Sequence, residues 1–214
     1  MAQETVGGAQ QWQQVYGYDM SGNRWVTGYT PGTATPSASS NYGTTGAGKN
    51  QLSGVSYDLA GNQEQISGVA LQYDGENRQI ASTVNSIATN YLYDGEGRRV
   101  EKITGAASTV YVHDATGNVV AEYSTQAPVV GGTEYLTTDH LGSTRLVTNS
   151  AGTAIACHDY LPFGEELLAP ESGRSGCYGP ADGVVQKFTG KERDAETAGS
   201  ATPSGLDYFG ARYM

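Results

Sequence analysis

The sequence predicts an all-β fold of stacked antiparallel β-hairpins, forming a curved sheet or partial shell, and three observations carry that expectation. The first is a repeated block that joins a Tyr-Asp pair to a turn. Tyr18-Asp19 precedes Ser21-Gly22-Asn23, Tyr57-Asp58 precedes Gly61-Asn62, Tyr73-Asp74 precedes Gly75-Glu76-Asn77, and Tyr93-Asp94 precedes Gly95-Glu96-Gly97. An aromatic ring suits a pleated strand face, Asp folds its carboxylate back onto the turn, and Gly or Asn tolerates the positive φ of a tight turn. The second is a composition of 30 Gly and 15 Tyr but only 3 Phe in 214 residues, which favours sheet and turns over long helices. The third is the lack of any stretch with an apolar stripe running through three helical turns.

Taken in order, residues 1-50 form an irregular segment. Gln10 to Tyr18 and Arg24 to Tyr29 flank a turn at Asp19 to Asn23, and a Gly/Ser/Thr/Ala/Pro-rich run from Pro31 to Lys49 reads as a loop, with a degraded repeat near Tyr42-Gly43. Residues 51-130 carry the clearest hairpin grammar, with Asp58, Asp74, Asp94 and Asp114 spaced by 16, 20 and 20 residues. The expected pairings are 69-73 with 78-83, 89-93 with 98-103, 108-113 with 119-124, and 134-139 with 144-149. One hairpin alone is marginal, so successive hairpins should pair side by side and stack their aromatics. Arg78, Arg98 and Arg99 follow their turns, placed to pair with Glu76, Glu96 or a neighbouring repeat and to cover aromatic faces with their stems, although surface charge alone explains them nearly as well.

Residues 131-214 differ in character. Asp139-His140-Leu141-Gly142-Ser143-Thr144-Arg145 leads into a strand, and Pro162-Phe163-Gly164-Glu165 ends an extended run in a way that directs Phe163 inward as a plug. Val184 to Phe188 reads as a further strand before Thr189-Gly190-Lys191-Glu192-Arg193-Asp194. Residues 198-204 look like an inserted surface loop. Leu206 to Tyr213 returns to an aromatic extended pattern.

These motifs, in this order, resemble the Rhs family: the Tyr-Asp blocks are similar to YD repeats, and 135-165 with 187-213 are similar to the core that closes the Rhs shell, related to that of teneurins. The resemblance is strongest over 51-213. It implies a sheet of hairpins that spirals around a cavity and, in complete bacterial members, encloses a variable C-terminal toxin released by proteolysis. On that reading Met214 falls before the cleavage segment and payload, and three or four clear repeats are too few to encircle a folded toxin. The implied function is a non-catalytic structural or encapsulating shell segment, with self-association or a neighbouring Rhs-like shell segment as partner. The core motifs are assigned to Tyr73, Asp74, Tyr93, Asp94, Asp139, His140, Gly142, Arg145, Pro162, Phe163, Gly164, Gly190, Arg193, Asp207, Tyr208, Gly210 and Arg212. Tyr73, Tyr91, Tyr93 and Phe163 would support packing, Gly142, Gly164 and Gly190 close turns, and Arg145 and Arg193 tie turns to neighbouring carbonyls or acids.

Charge and motif searches narrow the alternatives. With 22 acidic and 12 basic residues the formal net charge is −10, a field that opposes nucleic-acid and anionic-membrane binding. No apolar run is long enough for an integral membrane segment, and no signal peptide is encoded, which fits a bacterial cytoplasm before specialised secretion. Cys157 and Cys177 read more simply as two unpaired thiols, although a bond between them would close a loop of about 20 residues. His113, His140 and His158 lack zinc-ligand spacing, and the turn carboxylates Asp74, Glu76, Asp94 and Glu96 lack the ligand alternation of a calcium loop. Gly190-Lys191 is followed by Glu192 rather than Ser or Thr, no nucleophile elbow occurs, and Ser143 beside His140 does not make a triad. No cofactor is implied. A surface module recognising glycan or protein through exposed Tyr residues, a hydrolase using Asp139 or His140, and a remnant of a truncated gene remain as alternatives.

Overall fold

The computed structural model describes residues 1–29, 42–43, 50–66, 68–126, 132–167, 174–179, 182–198 and 205–210. Its regular elements are strands and short 3-10 turns, with no α-helix among the described residues. In chain order the strands are β1 (Ala2–Val6), β2 (Ala9–Tyr18), β3 (Arg24–Tyr29), β4 (Gln65–Ile66), β5 (Val69–Tyr73) and β6 (Gln79–Val84). There follow β7 (Ile87–Tyr93), β8 (Arg99–Thr104), β9 (Ala107–His113), β10 (Val119–Ser124), β11 (Glu134–Thr138) and β12 (Thr144–Asn149). The last are β13 (Ala154–Cys157), β14 (Asp159–Tyr160), β15 (Glu166–Leu167), β16 (Glu192–Asp194) and β17 (Leu206–Tyr208).

The strands belong to two compact units, each assembled from two stretches of chain. Unit 1 combines Met1–Gly54 with Gly132–Asp182, and unit 2 combines Val55–Gly131 with Gly183–Met214. Unit 1 holds the sheets β1-β2-β3, β11-β12-β13 and β14-β15, while unit 2 holds a seven-stranded sheet ordered β10-β9-β8-β7-β6-β5-β4 and the pair β16-β17. All these pairings are antiparallel. The four expected hairpins form, with ends that differ by one or two residues from the expected spans.

One turn geometry recurs in both units. In the turns that begin at Asp19, Asp58, Asp74, Asp94, Asp114, Asp139 and Asn149, the first residue donates its N–H to the carbonyl four residues on, and its own carbonyl accepts from the residue three on. The first residue's Oδ1 also accepts the N–H groups two and four residues on, at 2.8–3.0 Å. The fourth position takes positive φ and is Gly22, Gly61, Asn77, Gly97, Gly117, Gly142 or Gly152. This is a type I turn extended by one left-handed residue, which accounts for the register shifts beside Tyr73, Tyr93 and Thr138. The hydrogen bonds hold the turn carboxylates low: Asp19 and Asp58 chiefly through the side chains of Asn23 and Asn62, Asp94 chiefly through the N–H of Arg98.

The same backbone turn appears at Leu161 to Glu165, where the first side chain is apolar and Gly164 supplies φ 96°. Pro162-Phe163-Gly164 therefore joins β14 to β15 and does not merely end a strand. The expected inward plug is displaced by two residues: Leu161 and Leu167 are buried with Trp12, whereas Phe163 is half-buried, edge-on to Tyr16 at 5.3 Å and under the Arg24 guanidinium at 3.8 Å. Leu161, the first residue of this turn, has no carboxylate to fold back onto the turn N–H groups, and its side chain is buried instead. Val184 to Phe188 is not a strand either; only Gln186 bridges Glu192, and Lys187 to Lys191 closes a tight turn with Gly190 at φ 68°.

Cys157 and Cys177 are disulfide-bonded, which corrects the expectation of two free thiols. The Cys157 N–H donates to the Cys177 carbonyl at 2.9 Å, so the bond ties β13 to the 174–179 stretch within unit 1.

Candidate functional site

The most concentrated chemistry in unit 2 lies where its C-terminal stretch meets one face of the seven-stranded sheet. Strand alternation buries Val69 and Leu71 on β5, Thr89 and Tyr91 on β7, and Tyr111 on β9, leaving Leu92, Val110 and Val112 exposed. The five-residue turn at Asp94 places Arg99 opposite Tyr93 in the ladder, so Arg99 shares the buried face with Tyr91. Its guanidinium is 2% exposed and is gripped by Asp194 through Nη1 at 2.8 Å and Nη2 at 2.7 Å, the fork-on-carboxylate geometry that fixes both groups. The same guanidinium stacks over the rings of Tyr208 at 3.8 Å and Tyr91 at 4.4 Å.

Around this pair a clasp assembles. Lys102 of β8 reaches Glu192 at 2.7 Å, Asp194 at 3.2 Å and Glu196 at 3.5 Å, and Arg99 also meets Glu192 at 3.3 Å. Tyr111 donates to Glu192 at 2.5 Å, and Tyr91 donates to Glu196 at 3.1 Å while meeting Ser82 at 2.9 Å. Burial opposes the Lys102 charge, but Asp194, Glu192 and Glu196 carry its pKa well above the ordinary lysine value. Burial raises the Tyr91 and Tyr111 hydroxyls, helped by the neighbouring carboxylates, so both remain protonated donors. Burial, reinforced by Asp194, raises Glu196 to about 7.

Local backbone detail holds the clasp in shape. Thr197 Oγ1 donates to the Asp194 carbonyl at 2.6 Å and accepts from the Leu206 N–H at 2.7 Å, bridging the two ends of the β16-β17 pair. Gly205 has φ 86°, and a Cβ there would lie 2.5 Å from the Asp194 carbonyl oxygen, so the close approach of the two stretches requires glycine. Arg193 points away from Arg99's acid and forms its own buried pair with Asp207, Nε to Oδ1 at 2.8 Å and Nη2 to Oδ2 at 3.2 Å.

The remaining residues of the sequence motifs are distributed across both units. Asp74, Asp94 and Asp139 organise their turns, His140 stands exposed at the turn tip, and Gly142 supplies φ 82°. Tyr73 is pushed up to about 12 by burial, and Tyr93 donates to the Gln79 carbonyl at 2.7 Å beneath Arg78 at 5.2 Å. Tyr208 belongs to the clasp, and Gly210 lines an open cleft of about 750 Å³ beside Tyr111, Tyr208 and Glu192. In unit 1, Arg145 pairs with Asp159, and exposed Pro162, half-buried Phe163 and buried Gly164 make the β14-β15 turn. Arg212 lies outside the described residues. Among the described residues no group of three or more His, Cys, Asp or Glu is arranged to hold a metal ion.

Unit 1 has a polar centre of its own. His158 is fully buried, with Nδ1 2.6 Å from Glu166 and Nε2 2.9 Å from Asp182. An imidazolium donates to both carboxylates, whereas a neutral ring serves one. Beside it Arg174 joins Asp159 at 2.7 Å to Glu4 at 3.0 Å, linking the disulfide loop to β1. The sequence motifs do not single out Lys102, Glu192, Asp194, Glu196, His158 or Arg174 as site residues; Arg99 covers aromatic faces, one of the roles expected of it, but pairs with Asp194 and not with the turn acids Glu76 or Glu96. The overlooked signal is the turn itself, which assigns Arg99 and Tyr93 to one face.

No protein-family model matches the chain, and no curated protein matches it by sequence. Solved structures do share its fold. A Photorhabdus luminescens Tc holotoxin pore structure matches with a TM-score of 0.58 at 19% identity, covering 95% of this chain and 11% of that one. The TcdB2-TccC3-Cdc42 crystal structure matches at 0.61 and 20% identity over 94% of this chain and 12% of that one, and TcdB2-TccC3 without its hypervariable C-terminal region at 0.54 and 20%, over 94% and 11%. The chain thus spans about a tenth of the length of the chains it matches. At this identity the likeness establishes the all-β hairpin fold, which the chain shares with components of large toxin complexes.

Proposed function

We propose that this chain is a non-catalytic structural segment of an Rhs-like shell in a toxin-delivery assembly, with self-association or a neighbouring shell segment completing its sheets. The observation that carries the reading is the clasp. The stretch that resembles the closing Rhs core is anchored on the face of the repeat hairpins by buried charge pairs, which is what a repeat array needs to terminate in a defined way. The carboxylates that chemistry would require are consumed in bonding: Oδ1 of Asp139 accepts two turn N–H groups, and Asp194 grips Arg99. The fold shared with Tc holotoxin and TcdB2-TccC3 structures supports the assembly context.

The exposed edge strand β10, with Val120 61% and Tyr123 67% exposed, supports association through sheet edges. Light scattering on the size-separated chain, with apolar-dye binding, tests this. Concentration-dependent association that buries the dye-binding surface is the expected result; a compact monomer that binds no dye would count against it. The exposed rings of Tyr123 and Tyr135 also support a second reading, recognition of a glycan or protein, which predicts specific binding lost on replacing those tyrosines by alanine.

A further inference from the structure

The clasp contains two cations, Arg99 and Lys102, and three carboxylates, Glu192, Asp194 and Glu196. Arg99 is committed to Asp194 through two hydrogen bonds, and Lys102 lies nearest Glu192 at 2.7 Å. Glu196 is left with the longest ion-pair contact, 3.5 Å to Lys102, and a hydrogen bond from Tyr91. When all five groups are ionised, the site holds one uncompensated negative charge in a buried setting, a costly arrangement that binding one proton removes.

We propose that Glu196 makes the clasp a proton-operated latch, closed on the seven-stranded sheet when its carboxyl is protonated and loosened when it ionises. The groups facing Glu196 are Tyr91 from β7, Arg99 and Lys102 from β8, and Asp194 and Glu192 from β16, with Tyr111 and Tyr208 bordering the same cluster. β6, which also packs against the 195–197 turn, contributes no titratable side chain. Protonated, Glu196 accepts from Tyr91 and removes the repulsion toward Asp194. Ionised, it competes with Glu192 and Asp194 for Lys102, and the stretch that bears all three acids is pushed from the sheet. The affected stretch is Glu192–Asp194 with Ala195–Thr197, the part of unit 2 whose hold on β7 and β8 depends on charge.

The direction follows from proton linkage. A carboxyl whose folded pKa exceeds its unfolded value binds more protons folded than unfolded between the two, so stability falls as pH rises from the ordinary 4.5 to about 7 and is flat above. Glu122 of β10 is raised by burial and by Glu192, and contributes a slope of the same sign, so the residue-specific test is Glu196→Gln, which keeps shape and cannot ionise.

Hydrogen exchange, corrected for intrinsic rates, on the full chain at pH about 5.5 and about 8 reads the latch directly. In the unsubstituted chain, amides of 192–197 should lose roughly tenfold in protection at the higher pH, relative to those of Val69–Tyr73, while E196Q keeps equal protection at both. Equal protection at both pH values in the unsubstituted chain overturns the latch, as does an E196Q variant that loosens to the same extent. Should E196Q not fold, a carbon-detected titration of the Glu196 carboxyl in the unsubstituted chain decides: a midpoint near 7 upholds the latch and one near 4.5 overturns it.

Discussion

Arg24 in unit 1 and Arg99 in unit 2 occupy the same position in their hairpins, five residues after the turn aspartates Asp19 and Asp94, yet they reach different environments. Each guanidinium stacks over the tyrosine three residues before its turn Asp, Tyr16 or Tyr91, and over a second ring from a much later motif, Phe163 or Tyr208, at 3.8 Å in both cases. Each also pairs with an acid from a later stretch, Glu165 or Asp194. The difference is depth. Arg24 and Glu165 are 27% and 34% exposed and meet through a single contact of 3.2 Å, whereas Arg99 and Asp194 are 2% and 0% exposed and meet through two. The repeat supplies the Tyr-to-Arg spacing, and the segment that docks decides whether the Arg becomes a rim contact or a buried anchor.

The sharpest way to break this comparison is to truncate both arginines. Arg99→Ala leaves Asp194 buried without its main partner and should destabilise unit 2 by about 3–5 kcal/mol. Arg24→Ala should cost about 1 kcal/mol, a partly exposed pair and a stacking contact. Both tryptophans, Trp12 and Trp25, lie in unit 1, so their fluorescence follows that unit, while hydrogen exchange in β7 and β8 follows unit 2. Equal losses would show that burial depth does not distinguish the two sites.

The covalent tie comes next. Replacing Cys157 and Cys177 by Ala together should lower the stability of unit 1 by about 3 kcal/mol, from the freed loop entropy of the unfolded chain, and leave unit 2 exchange unchanged. Gly205→Ala tests the close approach that the clasp needs. Strain at φ 86° and collision with the Asp194 carbonyl should cost about 2 kcal/mol and lower protection in β16 before β7.

Acid titration separates the units further. Asp19, Asp58, Asp74, Asp94 and Asp139 have folded pKa values below the ordinary 3.8, so their contribution is complete above that value and is lost as pH falls through the folded values. Unit 2 adds the opposite slope of Glu196 above 4.5, so its denaturation midpoint should peak near pH about 4–5, an unusually acidic optimum. The smallest effect belongs to Asp139→Asn. The amide oxygen can accept the same two N–H groups, as Asn149 does in the equivalent turn, and the change should stay within about 0.5 kcal/mol.

The turns were legible because every interaction that defines them spans at most four residues. An Asp followed three residues on by Gly or Asn specifies the hairpin and its turn, with a Tyr before the Asp in two of the four, and the four expected strand pairings lie at such turns. The inward role expected of Phe163 missed by two residues because Leu161, the first residue of its turn, lies on the buried face. The clasp was not legible. Arg99 and Asp194 are separated by 95 residues, and nothing local to Lys-Glu-Arg-Asp distinguishes the acid that pairs across to the sheet from Arg193, which binds Asp207.

By itself the sequence determined the hairpin grammar, since short-range hydrogen bonds and a left-handed residue leave each turn one low-energy form. Only the tertiary structure decided which cysteines, acids and rings come together. Cys157 finds Cys177, His158 sits between Glu166 and Asp182, and Glu196 becomes the third acid beside two cations. Those outcomes depend on burial and on partners brought from distant stretches of chain, where the electrostatic consequence of a charge is set by its surroundings and not by its neighbours in sequence.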